Sequence, residues 1–228
     1  MNSLSNIPGA YSRFLHWPLS LFLFTISACG QETLPTVAFA LDFPGSEPSH
    51  YVISISADGR GSYDSNGKLM ADSDPADRVH LTFTVPPATS RHIFELTKRA
   101  RYFEGDIESG KKGLAFTGNK TLSYKDSEKL TQGTYNYSTA PAIQELTAWF
   151  QSLSNTLEFG RRLEYERQYQ KLALDEELKK LEEIAKEGEL GDLPAIAPIL
   201  QRIADDQSIL NVVRARAQRL LANAGSKL

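Results

Sequence analysis

From Thr36 to about Leu157 the chain switches between two hydrophobic periods. Tyr51, Ile53, Ile55 and Ala57 alternate with Val52, Ser54 and Ser56, the period of a strand with one buried face. Asp58-Gly59 follows, a pair that tolerates the backbone of a tight turn, so a hairpin returning through Arg60 to Tyr63 is predicted. Val79, Leu81, Phe83 and Val85 alternate with His80, Thr82 and Thr84 and predict a further strand, ended by Pro86-Pro87, where backbone donors disappear. The prolines open a helix whose apolar face carries Ile93, Leu96 and Ala100, with Tyr102-Phe103 closing its end against the sheet. Segments 114–117 and 120–124 read as a second hairpin around Gly118-Asn119, and Pro141 starts a helix with Ile143, Leu146, Phe150 and Leu153 on one face. Strands, helix, strands and helix in that order predict an α+β fold, a small antiparallel sheet with two covering helices.

The pattern then becomes wholly helical. Residues 158–187 are dense in charge, with no Pro or Gly after Gly160, and predict one long helix. Asp175 and Lys179, Glu176 and Lys180, and Glu182 and Lys186 place acids four residues before bases, a spacing that supports a helix. Leu174, Leu178, Leu181 and Ala185 form a narrow stripe that needs another helix to cover it. Gly188 and Gly191 end this helix; Asp192 is placed to cap the next, where Pro198 should introduce a bend. Ser208 is placed to cap a last helix, with Ile209, Val212, Val213, Leu220 and Leu221 inward and Arg214, Arg216 and Arg219 mostly outward.

Composition divides the chain at the same place. Of its 22 aromatic residues only Phe159, Tyr165 and Tyr169 follow residue 157. A net charge of −3 argues against a nucleic-acid binder that depends on phosphate contacts, and a single cysteine excludes an internal disulfide framework. That cysteine stands at the end of the first segment. Before Glu32 the only formal side-chain charge is Arg13, followed by a 12-residue run from Trp17 to Ala28. A spanning helix needs about 20 apolar residues, so the run suits a signal peptide better than a permanent anchor. Ile26-Ser27-Ala28-Cys29 resembles the bacterial lipobox, which implies that Cys29 is lipidated and becomes the mature N-terminus; ordinary cleavage after Gly30 is the alternative. Gly30 is not the aspartate that resembles an inner-membrane retention signal, so the expected site is the outer membrane facing the periplasm, or, with ordinary cleavage, a soluble periplasmic or secreted protein. The expected organisation is a signal peptide over 1–28, a linker over 29–35, an α+β domain over 36–157 and a long helix plus helical hairpin over 158–228.

Two resemblances add to this. Tyr51-Val52-Ile53-Ser54-Ile55-Ser56-Ala57-Asp58-Gly59, continuing to Tyr63, is similar to a family of exported bacterial domains of unknown function that read Y-x-I-x-I-x-x-D-G-x-x-x-Y. That family commonly carries a cysteine pair before the tyrosine. Here the stretch is Gly45-Ser46-Glu47-Pro48-Ser49-His50, so a redox role implied by the pair is absent. The helices over 192–224 resemble a single HEAT-type hairpin, and arrays of that type need about three repeats to bury a core.

Candidate chemistry is sparse. His50, His80 and His92 lack the i, i+4 spacing with which two imidazoles share a metal, and no nucleophile elbow or phosphate-cradling glycine loop is present. Asp72, Asp74 and Asp77 lack the rest of a calcium loop. Glu104, Asp106 and Glu108 could aim carboxylates to one side if they lay on a strand, but Gly105 and Gly110 point to a loop. No catalytic residue, metal site or cofactor is assigned. The expectation is an envelope protein held at the membrane by a lipid on Cys29 and acting as a binding or interaction module, with a possible envelope protein partner at Tyr165 and Tyr169; the alternative for both tyrosines is packing on the 36–157 domain. The alternative is a small-ligand carrier or hydrolase with an acidic site formed by Asp106, Glu108 or the histidines. A subunit of an envelope assembly is a third reading, which an exposed apolar patch on the last helices would favour.

Overall fold

The computed structural model describes residues 34–69, 79–188 and 190–226. The expected signal peptide, Cys29 and the aspartates at 72, 74 and 77 lie outside the described residues. Within them the fold is α+β, with a six-stranded antiparallel sheet in the order β4-β3-β2-β1-β5-β6. The strands are β1 (Thr36–Asp42), β2 (His50–Ser56), β3 (Arg60–Ser65), β4 (Val79–Thr84), β5 (Asn119–Lys125) and β6 (Leu130–Tyr135). The helices are α1 (Pro87–Arg99), α2 (Pro141–Tyr169), α3 (Leu174–Glu187), α4 (Ala197–Asp205) and α5 (Asn211–Ser226).

The alternation predicted around the Asp58-Gly59 turn is what builds the sheet. Tyr51, Ile53 and Ile55 are buried, and Ile53 faces Tyr63 across the β2–β3 ladder. Gly59 has φ +85, and a Cβ there would stand 2.7 Å from the Val85 carbonyl oxygen, so both backbone shape and space call for glycine. The helices α1 and α2 pack against each other and lie on the buried face, where the Phe39 and Phe150 rings stack with centroids 5.3 Å apart. On the other face, Thr82, Ser62, Ser54, Ala38 and Ser123 follow one another across β4 to β5, part-exposed or exposed.

The second hairpin differs from expectation. Residues 114–117 form no strand; β5 pairs instead with β6. The turn is set by Asp126, whose Oδ1 accepts from the backbone N–H groups of Glu128 at 2.8 Å and Lys129 at 2.7 Å, the local bonding by which aspartate favours turns.

The division expected near residue 157 falls inside α2, which runs unbroken to Tyr169, and the long helix expected over 158–187 is two helices joined by residues 170–173. The cause is tertiary, since Leu174, Leu178 and Leu181 are fully buried only because α3 turns back to pack on α2 and α5. Pro198 lies in the first turn of α4, after a 3-10 turn at Leu193–Ile196, where its missing N–H costs little. Asp192 makes no side-chain cap bond, and α5 begins at Asn211, three residues beyond the expected cap Ser208, whose hydroxyl donates to Asp206 Oδ1 at 2.5 Å. Val212 is exposed rather than inward, and Arg216 is mostly buried, bound to Asp175 and Glu182 of α3. Glu182 is engaged by Arg216 and Arg219 rather than Lys186, while the pairs Asp175 with Lys179 and Glu176 with Lys180 form at 2.6 and 2.9 Å. All described residues belong to one compact unit.

Candidate functional site

Two residues one turn apart on α2, Gly160 and Glu164, shape the wall of an apolar hollow. At Gly160 the helix has no side chain, and a Cβ would stand 2.6 Å from Ile196 Cγ2, so the 3-10 turn before α4 approaches closely. One turn further along, Glu164 reaches across to Arg202 of α4, its Oε2 accepting from Nη2 at 2.9 Å and Nε at 3.2 Å. Between this helical wall and strand β4 lies a cavity of about 520 Å³, lined by Leu81, Phe83, Leu157, Tyr165, Ile196 and Ile199 among others, with Tyr169 at its margin. A volume in this range suits a small apolar molecule or a few side chains of a larger one.

Tyr165 and Tyr169, separated by one helical turn, are in ring contact with centroids 5.1 Å apart. Tyr165 is half-buried and Tyr169 is 71% exposed. The structure thus brings both predicted interaction residues to the same cavity, in the α2 segment that continues the sheet-covering helix.

The charges around the cavity pair with one another, although Arg161 Nε is buried with no hydrogen-bond partner among the described residues. Glu164 Oε1 accepts from Arg167 Nη2 at 2.8 Å and Gln168 Nε2 at 2.9 Å. Burial pushes the Glu164 carboxyl up, but hydrogen bonds from Arg167 and Arg202 outweigh it and hold the group below the usual range. Arg161, at the inner wall, is buried beside Glu158, with Nη1 3.5 Å from Glu158 Oε2 and Nη2 donating to the Gly67 carbonyl at 2.9 Å. Glu158 Oε1 accepts from the Tyr63 hydroxyl at 2.7 Å and the Ser65 hydroxyl at 2.9 Å. Burial, reinforced by the Glu158 charge, pushes the Tyr63 hydroxyl far above its ordinary value, so it stays a neutral donor.

A second cavity, of about 500 Å³, lies between the start of α1, α3, the segment 190–194 and the end of α5. Asp192 lines it. Its Oδ1 accepts from Thr89 Oγ1 at 3.2 Å, and its buried Oδ2 has no partner among the described residues. Burial pushes its carboxyl up to about 6 despite the Thr89 bond. On α2, Glu166 is pushed up to about 7 by burial and then by the nearby Glu177 charge.

The acidic run does not form a site. Asp106 Oδ1 accepts from the Glu108 N–H at 3.0 Å, Glu108 Oε2 accepts from the Asn136 N–H at 2.6 Å, and Glu104 pairs with Lys129 at 2.6 Å. The Asn136 N–H, outweighing some desolvation, holds Glu108 below the usual range. Each of the described histidines has its own carboxylate: His50 with Asp42 at 2.6 Å, His80 with Asp64 at 2.8 Å and His92 with Glu145 at 2.7 Å. None of these residues lines either cavity. Among the described residues no group of three His, Cys, Asp or Glu side chains could hold a metal ion, and no helix is long and apolar enough to cross a membrane. The β4, Ile196 and Arg202 walls were not read from sequence. Gly160 alone signals them, as a glycine within an otherwise favourable helical run.

No model of a known protein family matches the chain, and no curated protein matches it in sequence.

Proposed function

We propose that the protein is an exported cell-envelope protein, held at the outer membrane by a lipid on Cys29, that binds a partner through the Tyr165/Tyr169 cavity. The observation that carries the binding reading is the convergence of both tyrosines on an apolar hollow about 520 Å³ in volume. Tyrosines combine a large apolar face with a polar tip and lose little entropy on binding, which is why they recur at interfaces. Ile26-Ser27-Ala28-Cys29 supports the anchoring reading. Lipoprotein processing supplies the more than one acyl chain that stable anchoring needs.

The cavity volume also fits a carrier of a small apolar ligand, and the same experiment separates the two. A photo-crosslinking amino acid in place of exposed Tyr169, in the membrane-bound protein, should give a discrete protein adduct. A cross-link only to small molecules would favour the carrier.

A further inference from the structure

Gly191 is pressed against α2: its carbonyl accepts from Thr156 Oγ1 at 2.6 Å, and a Cβ there would stand 2.6 Å from the Leu153 nitrogen. Asp192 follows at φ +21 and ψ +70, a sparsely populated backbone region for a residue with a side chain. Its own carbonyl accepts from the Ala195 N–H at 2.8 Å. The backbone that carries the Asp192 carboxyl into the second cavity is thus fixed on both sides.

The carboxyl itself is underused. A carboxylate offers about four acceptor positions; here Thr89 Oγ1 takes one at 3.2 Å, Oδ2 is buried without a partner, and no cap bond is made to the 3-10 turn that follows. Its neighbours leave it so. Glu182 of α3 is the other acid of the lining and is engaged by Arg216 and Arg219, while Lys186 lines the cavity without bonding Oδ2. A buried carboxylate with too few partners is costly, and burial pushes this one up. Docking of α1 through Thr89 does not require the charge, since an amide oxygen accepts the same bond.

Around this group the lining is largely apolar, with Pro86, Leu193, Pro194, Leu220 and Ala224, and the volume of about 500 Å³ lies in the range of small-molecule sites. The combination calls for a ligand with hydrogen-bond donors, a positive charge and a compact apolar body. An ammonium brings three donors and the charge opposite to a carboxylate, and such bonds are about twice as strong as neutral ones. We propose that the second cavity is a binding site for a small primary amine, whose ammonium donates to the unused positions of the Asp192 carboxylate while its hydrocarbon part lies against Leu193, Pro194 and Leu220. This site shares no lining residue with the Tyr165/Tyr169 cavity and does not rest on the reading of that cavity.

The test is an NMR titration of the full chain, in non-ionic detergent above neutral pH, with isopentylamine and 2-phenylethylamine. The matched alcohols, 3-methylbutan-1-ol and 2-phenylethanol, and the matched carboxylates, 4-methylpentanoate and 3-phenylpropanoate, are titrated alongside. At least one amine should bind more tightly than its alcohol by about tenfold or more, ~1.4 kcal/mol, and more tightly still than its carboxylate. In the parent that amine should shift the backbone amides of Leu193 and Leu220 and leave those of Leu81 and Phe83 in place. Asp192→Asn, which keeps an acceptor for Thr89, should abolish the preference for amine over alcohol while remaining at least as stable as the parent. The site is overturned if no amine binds, if amine and alcohol bind alike, if the shifts fall on Leu81 and Phe83 instead, or if the preference survives Asp192→Asn. An Asp192→Asn chain that fails to fold would overturn it too, by showing that the charge serves the fold.

Discussion

Ile196 occupies the space that Gly160 leaves empty on α2, its Cγ2 2.6 Å from where a Cβ would stand. This close approach seats the C-terminal helices against the helix that covers the sheet, and it shapes the wall opposite β4. Gly160→Ala would gain about 1 kcal/mol of helix propensity, but overpacking a buried contact costs about 1–3 kcal/mol. A net loss of stability by chemical denaturation is expected, and Ile196→Leu, which lacks Cγ2, should recover part of it. A Gly160→Ala protein as stable as the parent or more so would show that the contact is loose.

The Glu158 carboxylate joins β3 to α2 through Tyr63, Ser65 and Arg161. Removing one partner of a buried pair leaves the other charge uncompensated, at about 3–5 kcal/mol. Glu158→Ala should therefore lower stability by several kcal/mol. Ser65→Ala, which removes one neutral donor, should cost about 1–3 kcal/mol. Equal effects for the two variants would contradict a charge-centred role for Glu158.

Two carboxyls make stability fall with rising pH. Glu166 is raised to about 7 and Asp192 to about 6, above the values near 4 that they take in an unfolded chain. The folded state then holds protons that the unfolded state has released, so the native state loses stability as pH rises from about 5 through 7. The lowered carboxyls, such as Glu108 and Glu164, are ionised across that range and do not offset the trend. Unfolding midpoints between pH 5 and pH 8 should decline less in Glu166→Gln/Asp192→Asn than in the parent; parallel curves would refute this assignment.

The β2–β3 hairpin was legible because its strand period, its Asp58-Gly59 turn and its packing all agree. The second hairpin was misplaced because Gly118-Asn119 looks like a hairpin turn, whereas Gly118 (φ +97) is a bend beside Phe43 and the turn itself rests on Asp126. The break at residues 170–173 has no Pro or Gly to announce it. Its local trace is the acidic triplet Asp175, Glu176 and Glu177 in the first turn of α3, where carboxylates favour a helix N-terminus. The pairing of Tyr165 with Tyr169 follows from helical spacing. Their meeting with β4 depends on long-range packing that local patterns do not encode.

Lipid anchoring is tested by Cys29→Ser. The parent should fractionate with membranes and the variant should be soluble; an unmodified mature chain beginning at Gln31, found by mass spectrometry of the parent, would contradict lipidation.

The central claim is that the Tyr165/Tyr169 cavity is the binding surface. Its most direct measurement is quantitative affinity capture of the cross-linked envelope partner by the parent, by Tyr165→Ala/Tyr169→Ala and by Val212→Ala, which alters an exposed apolar residue on α5 instead. The account predicts that the tyrosine variant loses capture by about tenfold or more, ~1.4 kcal/mol, while remaining cooperatively folded, and that Val212→Ala binds like the parent. Undiminished capture by the folded tyrosine variant, or loss confined to Val212→Ala, would contradict it.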